Sequence, residues 1–174
     1  IASATKDTTY LVQLIAYSNF GCADTTTKTV RVFPKPKSRF VMSDTAICSS
    51  GIVTLTNTSY PNDTGNISIM SFVWNFGNGH TSLNRDEIET FPSSKLQDTT
   101  YTITLYAYSE HGCLDSSSQK LTVHPKPIDS FSVIPSNGCY NFPVQFVNNT
   151  IHGKTYYWDF GDGTTDTAKN ATHI

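Results

Sequence analysis

Residues 98–115 read DTTYTITLYAYSEHGCLD, and residues 7–24 read DTTYLVQLIAYSNFGCAD. The later copy alternates: Tyr101, Ile103, Leu105 and Ala107 fall on one side, and Thr102, Thr104, Tyr106 and Tyr108 on the other. A period of two marks a strand with one buried face. Gly112 and its neighbours then make a hairpin turn, and Lys120–His124 returns as the partner strand with Leu121 and Val123 inward. The two stretches match at a constant offset of 91, through Tyr10/Tyr101, Leu14/Leu105, Ala16/Ala107, Gly21/Gly112, Cys22/Cys113 and Asp24/Asp115. The same offset links Pro34-Lys35-Pro36 to Pro125-Lys126-Pro127, and then Phe40/Phe131, Cys48/Cys139, Val53/Val144, Leu55/Phe146 and Asn57/Asn148. A second echo, WNFGNG at 74–79 and WDFGDG at 158–163, sits at an offset of 84, seven residues having been lost between Asn57 and Trp74.

These offsets divide the chain into the tail of one repeat (1–33), a whole repeat (36–124) and the head of another (128–174). A repeat of about 90 residues is the size of a small sandwich domain. The boundaries fall at the two Pro-Lys-Pro segments, where proline on both sides of a lysine favours an extended, stiff joint. The chain opens Ile1-Ala2-Ser3-Ala4, with neither a start methionine nor a signal peptide, so it is expected to be a stretch of something longer. Its two half-repeats then reflect where the stretch was cut. The alternative is that the tail of one chain completes the head of another, because a half-built sandwich leaves sheet edges exposed.

Composition agrees with an all-β reading. The chain has 174 residues, 12 Lys and Arg against 14 Asp and Glu, and a net charge of −2, which is no footprint for nucleic acid. Charged residues make up 15%, against about 25% in an average domain, which argues against coiled coils and long solvated helices. The apolar runs are a few residues long, far short of the ~18 needed to span a bilayer as a helix, so no membrane insertion is expected. Thr, Ser, Asn, Tyr, Val and Phe dominate, and these favour strands and turns. Further strands are expected at Ser38–Met42 around Phe40, at Ile52–Asn57 with Val53 and Leu55 inward, and at Ser71–Phe76 with Phe72, Trp74 and Phe76 on one face. Pro61–Ile67 reads as a polar loop. The predicted architecture is a tandem of antiparallel β-sandwiches with essentially no helix.

The most specific residues are Tyr157-Trp158-Asp159-Phe160-Gly161-Asp162-Gly163-Thr164. They resemble the signature of the polycystic-kidney-disease (PKD) repeat, an immunoglobulin-like β-sandwich. Trp74-Asn75-Phe76-Gly77-Asn78-Gly79 is the same motif with Asn in both Asp places. In the family a Tyr-x-Val-x-Leu-x-Ala strand follows, and Tyr101–Ala107 and Tyr10–Ala16 match it. The resemblance implies that Trp74 and Trp158 fill the space between two sheets, that Asn75 or Asp159 binds turn amides, and that the glycines make the turn. The added Gly-Cys after that strand, the cysteine before the second strand and the Pro-Lys-Pro linker resemble repeats of very large secreted surface proteins of gliding and related bacteria. Those look like adhesins exported by a dedicated outer-membrane secretion system.

The four cysteines, Cys22, Cys48, Cys113 and Cys139, come two per repeat at equivalent places. In an extracellular β-domain such pairs point to disulfides. One reading joins Cys48 to Cys113 within a repeat. The other joins repeats, because in an immunoglobulin-like sandwich the two turns lie at opposite ends, about 20 Å or more apart against a bridgeable 4.4–6.8 Å. Zinc is not expected, since there is no Cys-x-x-Cys and no His pair. Asp159, Asp162 and Asp166 are close enough in sequence to suggest Ca²⁺, but Asn75 and Asn78 in the other copy favour turn formation, and no metal or cofactor is assigned. None of the five histidines recurs between copies, and there is no Gly-x-Ser-x-Gly, His-Glu-x-x-His or Walker motif, so no catalysis is expected. Tyr106 and Tyr108 point away from the core set, either to bind sugar rings or to pair across strands. Asn57-Thr58-Ser59 and the triplets at Asn62, Asn66, Asn148 and Asn170 fit N-glycosylation.

Two functions follow as expectations. The first is a structural spacer in a long extracellular repeat protein, a cell-surface adhesin stalk. Its partners would be neighbouring repeats of the same chain and other surface or secretion-system proteins. The second is an accessory polysaccharide- or protein-binding module of a secreted hydrolase.

Overall fold

The computed structural model describes residues 7–62 and 70–174, and all regular structure among them is β. Most of the Pro61–Ile67 loop, and Asn66 with it, lies outside the described residues.

The chain begins with an antiparallel hairpin of β1 (Thr8–Tyr17) and β2 (Ala23–Val32), in which Leu14 faces Thr26. Next come β3 (Phe40–Met42), β4 (Ala46–Cys48), β5 (Gly51–Asn57), β6 (Met70–Asn75), β7 (Thr81–Ser82) and β8 (Glu87–Phe91). A long hairpin follows, β9 (Thr99–Ser109) and β10 (Leu114–His124), in which Leu105 faces Ser117. The last strands are β11 (Phe131–Ile134), β12 (Val144–Asn148), β13 (Trp158–Asp159), β14 (Thr165–Asp166) and β15 (Ala171–His173).

In the middle of the chain two sheets face each other. One has the order β4-β10-β9-β6-β7 and the other β3-β5-β8. The period-two pattern now has a physical reading. Ile103, Leu105, Ala107, Leu121 and Val123 point from the larger sheet onto Phe40, Val53, Leu55 and Phe91 of the smaller, with Phe72 and Trp74 between them. Packing at that density makes any lost methylene felt. The fold is therefore an all-β sandwich.

Residues 38–48 run from one sheet to the other. β3 pairs with β5, and three residues later β4 pairs in parallel with β10, so that Cys48 lies opposite His124. Cys48 thus closes a strand, not the turn that its sequence position suggests. The parallel pair joins the second strand of this unit to its last.

The last strands repeat part of this plan. β11-β12-β15 has the same order as β3-β5-β8, and β13-β14 corresponds to β6-β7. No strand beside β13 corresponds to β9 or β10 among the described residues.

Candidate functional site

The two signature turns are built alike. Trp74 is fully buried, its Nε1–H donates to Asn84 O at 3.1 Å, and its ring meets the edge of Phe40 at 5.1 Å. Trp158 donates to Ala168 O at 2.8 Å and meets Phe131 at 5.4 Å, but it remains partly open to solvent. Asn75 Oδ1 accepts the Gly77 N–H at 2.9 Å, and Asp159 Oδ1 accepts the Gly161 N–H at 2.9 Å. Three residues on, Asn78 Oδ1 accepts from His80 N–H at 2.9 Å and Asp162 Oδ1 from Thr164 N–H at 3.0 Å. These are side-chain turns that either an amide or a carboxylate closes. Gly77 and Gly79 both have positive φ, at 73° and 95°.

The charge lost with Asn78 reappears nearby. Glu89 lies opposite Val53, and His173 lies opposite the equivalent Val144, so the two occupy the same place. Around the first turn, His80 Nδ1 and Asn78 Nδ2 each lie 2.9 Å from Glu89 Oε1. Around the second, His173 Nε2 lies 2.8 Å from Asp162 Oδ2. The imidazole and the acid have exchanged sides of one gap. The Thr164 hydroxyl and N–H, and then His173, hold the Asp162 carboxyl well below the usual carboxylate range. Comparing positions 78, 80 and 89 with 162, 164 and 173 would have exposed this exchange in the sequence, but each histidine by itself looked local.

Asp166 accepts the N–H groups of Thr167 and Ala168 at 2.6 and 3.0 Å. Asp159, Asp162 and Asp166 therefore each serve their own turn, and no group of three His, Cys, Asp or Glu side chains among the described residues is placed to hold a metal. His124 Nδ1 lies 2.8 Å from Asp98. The Asn57 side chain is buried, which removes the Asn57-Thr58-Ser59 triplet as an exposed glycan acceptor.

The joint after β2 is tightly built. Pro34 and Pro36 are buried while Lys35 between them is exposed, the alternation of an extended segment laid on a surface. The turn between β9 and β10 reaches back over it: the His111 ring stacks on Phe33 at 3.5 Å, and Cys113 Sγ lies 3.9 Å from Phe33 O. The joint after β10 looks different. Ser49 N–H donates to His124 O at 2.8 Å beside Cys48, but Lys126 and Pro127 are exposed.

Cys48 and Cys113 thus flank opposite ends of the 11-residue β10. At ~3.3 Å per residue that is about 30 Å, far beyond disulfide reach. The pairing of Cys48 with Cys113 within a repeat is corrected on that ground. Cys22, Cys48, Cys113 and Cys139 are all thiols in this structure.

Two open grooves carry aromatic side chains. One, of about 370 Å³, runs beside Phe131, Tyr156 and Trp158. The other, of about 760 Å³, runs along β6 beside Leu83, Arg85 and Tyr108 and reaches the edge of the core at Phe72, with the Arg85 guanidinium 6.0 Å from the buried Phe72 ring.

The chain is an all-β protein similar to PKD domains. The PKD1 domain of Epp from Vibrio anguillarum is 19% identical, with a TM-score of 0.44, over 55% of this chain and 100% of that one. The PKD1 domain of the metalloprotease PrtV from Vibrio cholerae is 26% identical, with a TM-score of 0.42, over 52% of this chain and 98% of that one. A structure described as showing promiscuous specificity of carbohydrate-binding modules of the β-sandwich superfamily is 13% identical, with a TM-score of 0.47, over 79% of this chain and 52% of that one. No protein-family model matches the sequence, and no curated protein matches it.

Proposed function

We propose that the chain is a non-catalytic spacer segment of a long extracellular repeat protein, of the kind that forms the stalk of a bacterial cell-surface adhesin. Neighbouring repeats are its first partners, and other surface or secretion-system proteins would meet the ends of the array. The joint at Phe33 carries this reading: two buried prolines and a ring stack at 3.5 Å oppose bending between units. Residual dipolar couplings test it. A stiff joint gives β1–β2 and the middle sandwich one common alignment tensor in the isotope-labelled chain. Separate tensors would reveal a free hinge and refute the spacer.

A second reading is an accessory module of a secreted hydrolase. The PrtV domain is named as part of a metalloprotease, and carbohydrate binding is named for the β-sandwich modules. The groove beside Leu83, Arg85 and Tyr108 supports it, because a tyrosine ring beside a guanidinium suits sugar rings or extended peptides. Retention of the chain on chitin, cellulose or collagen, lost in Tyr108→Ala, would favour this reading over the spacer.

A further inference from the structure

We propose that the groove beside Arg85 binds an acidic polysaccharide, the guanidinium taking the carboxylate of a uronic acid, and that Lys169 marks a second such site on the next repeat. The proposal rests on the binding reading of that groove and names its ligand class. The offset of 84 that links the two signature turns also links the residues around the groove. Ser71, Leu83 and Arg85 become Thr155, Thr167 and Lys169, and these three line a groove of about 640 Å³ together with Lys154. A hydroxyl and a cation thus recur at the same places in both repeats, with arginine exchanged for lysine.

The fold holds the cation in place. The residue before it, Asn84 or Ala168, gives its carbonyl to the signature tryptophan, at 3.1 and 2.8 Å. The residue after it, Asp86 or Asn170, accepts the backbone N–H of Asn57 or Asn148, at 2.7 and 2.9 Å. The backbone at 85 and 169 is therefore pinned on both sides, while the side chain between the two anchors is exposed and serves neither bond.

Nothing neutralises these cations. The ion pairs among the described residues lie elsewhere. The acids next along the chain are committed, Asp86 to Asn57 and Glu87 to Asn84 Nδ2 at 2.7 Å. No carboxylate lines either groove. The chain as a whole carries a net charge of −2, so attraction to a polyanion has to be local.

The rest of the wall favours a sugar over an acidic peptide. Tyr108 lies opposite Ser71 across β9 and β6, which puts a phenol ring and a hydroxyl beside the guanidinium. A uronic acid presents C–H groups to an aromatic face and hydroxyls to a serine, while its carboxylate accepts parallel N–H bonds from the guanidinium. The groove of about 760 Å³ falls within the ~300–1,000 Å³ of small-ligand sites. A polymer with a carboxylate on each ring can engage both cations, the second at a raised effective concentration.

Titration of the purified chain with polygalacturonate at low salt tests this. Fully methyl-esterified pectin, polyglutamate, chitin and cellulose serve as comparisons. Esterification removes the charge and keeps the ring, and should weaken binding about tenfold or more. Arg85→Gln should weaken it by a similar factor, and Lys169→Gln should add a further loss. Arg85→Lys, which copies the other groove, should keep part of the affinity. Both cations are exposed, so melting should be unchanged in every variant, which separates lost binding from lost fold. No binding to polygalacturonate, equal binding of esterified pectin or polyglutamate, or unchanged affinity in the Arg85→Gln, Lys169→Gln double variant would each overturn the proposal. Retention on chitin or cellulose that Tyr108→Ala removes, without binding to polygalacturonate, would overturn the acidic ligand and keep the binding reading. Binding to none of these polymers would overturn both.

Discussion

Leu105→Ala and Leu14→Ala make the same change at the same repeat position, 91 residues apart. Leu105 is fully buried opposite Trp74, and the sheets around it cannot close over the space it leaves. Removing a buried leucine costs about 3 kcal/mol, within a range of roughly 2–5. For a unit of about 90 residues that is a fall in melting temperature of roughly 12–24 °C. Leu14 is already 65% exposed, so only about a third of its ~1.5–3 kcal/mol burial contribution is at stake. The expected cost is at most about 1 kcal/mol. Urea unfolding of dilute, reduced protein measures both, followed by tryptophan fluorescence because Trp74 faces Leu105. A cost below about 1 kcal/mol for Leu105→Ala would refute the two-sheet core. A cost of 2 kcal/mol or more for Leu14→Ala in a single copy would mean that its face is already covered.

Other tests are shorter. Because the folded Asp162 carboxyl lies below its ordinary value of 3.8, its contribution is complete above that pH and fades as acid protonates the folded group. The Thr164 amide shift should titrate well below pH 4, and Asp162→Asn should abolish that titration; a midpoint at the ordinary value would refute the hydrogen-bonded arrangement. Gly77→Ala meets Thr102 O as well as a positive φ, so it should cost about 2 kcal/mol or more; Gly79→Ala, with open space around it, should cost about 1 kcal/mol. Calcium or chelator should leave the melting temperature within about 1 °C, since the carboxylates of the 159–166 turn bind their own amides; a rise of several degrees with calcium would expose a cation site.

The long hairpins were legible because nine or more residues keep one phase, and a phase error would bury Thr104 and Thr102 in place of Leu105 and Ile103. The short strands were not. β8 reads Glu-Ile-Glu-Thr-Phe, where apolar character would turn Ile88 inward, yet with Phe91 buried the period of two leaves Ile88 exposed and turns Glu89 in to meet Asn78 and His80. β4 has three residues and pairs in parallel with a strand about 75 positions away, which leaves no local pattern to read. The signature residues were visible as a motif. The exchange of acid and histidine around them was hidden because it is a property of two turns compared, not of either alone.

The parallel pair of β4 and β10 has a mechanical consequence. The chain enters the middle sandwich through β3, which pairs with β5, and leaves from the end of β10. Once β3 has been pulled off, tension between entry and exit drags β4 and β10 past each other along their length. The bonds from Thr122 N–H to Thr45 O and from Ser49 N–H to His124 O share that load at once, at 3.0 and 2.8 Å. A hairpin pulled open at its end gives way one bond at a time. This edge yields only when its bonds rupture together, so three residues of strand act as the latch that sets the force at which the unit opens.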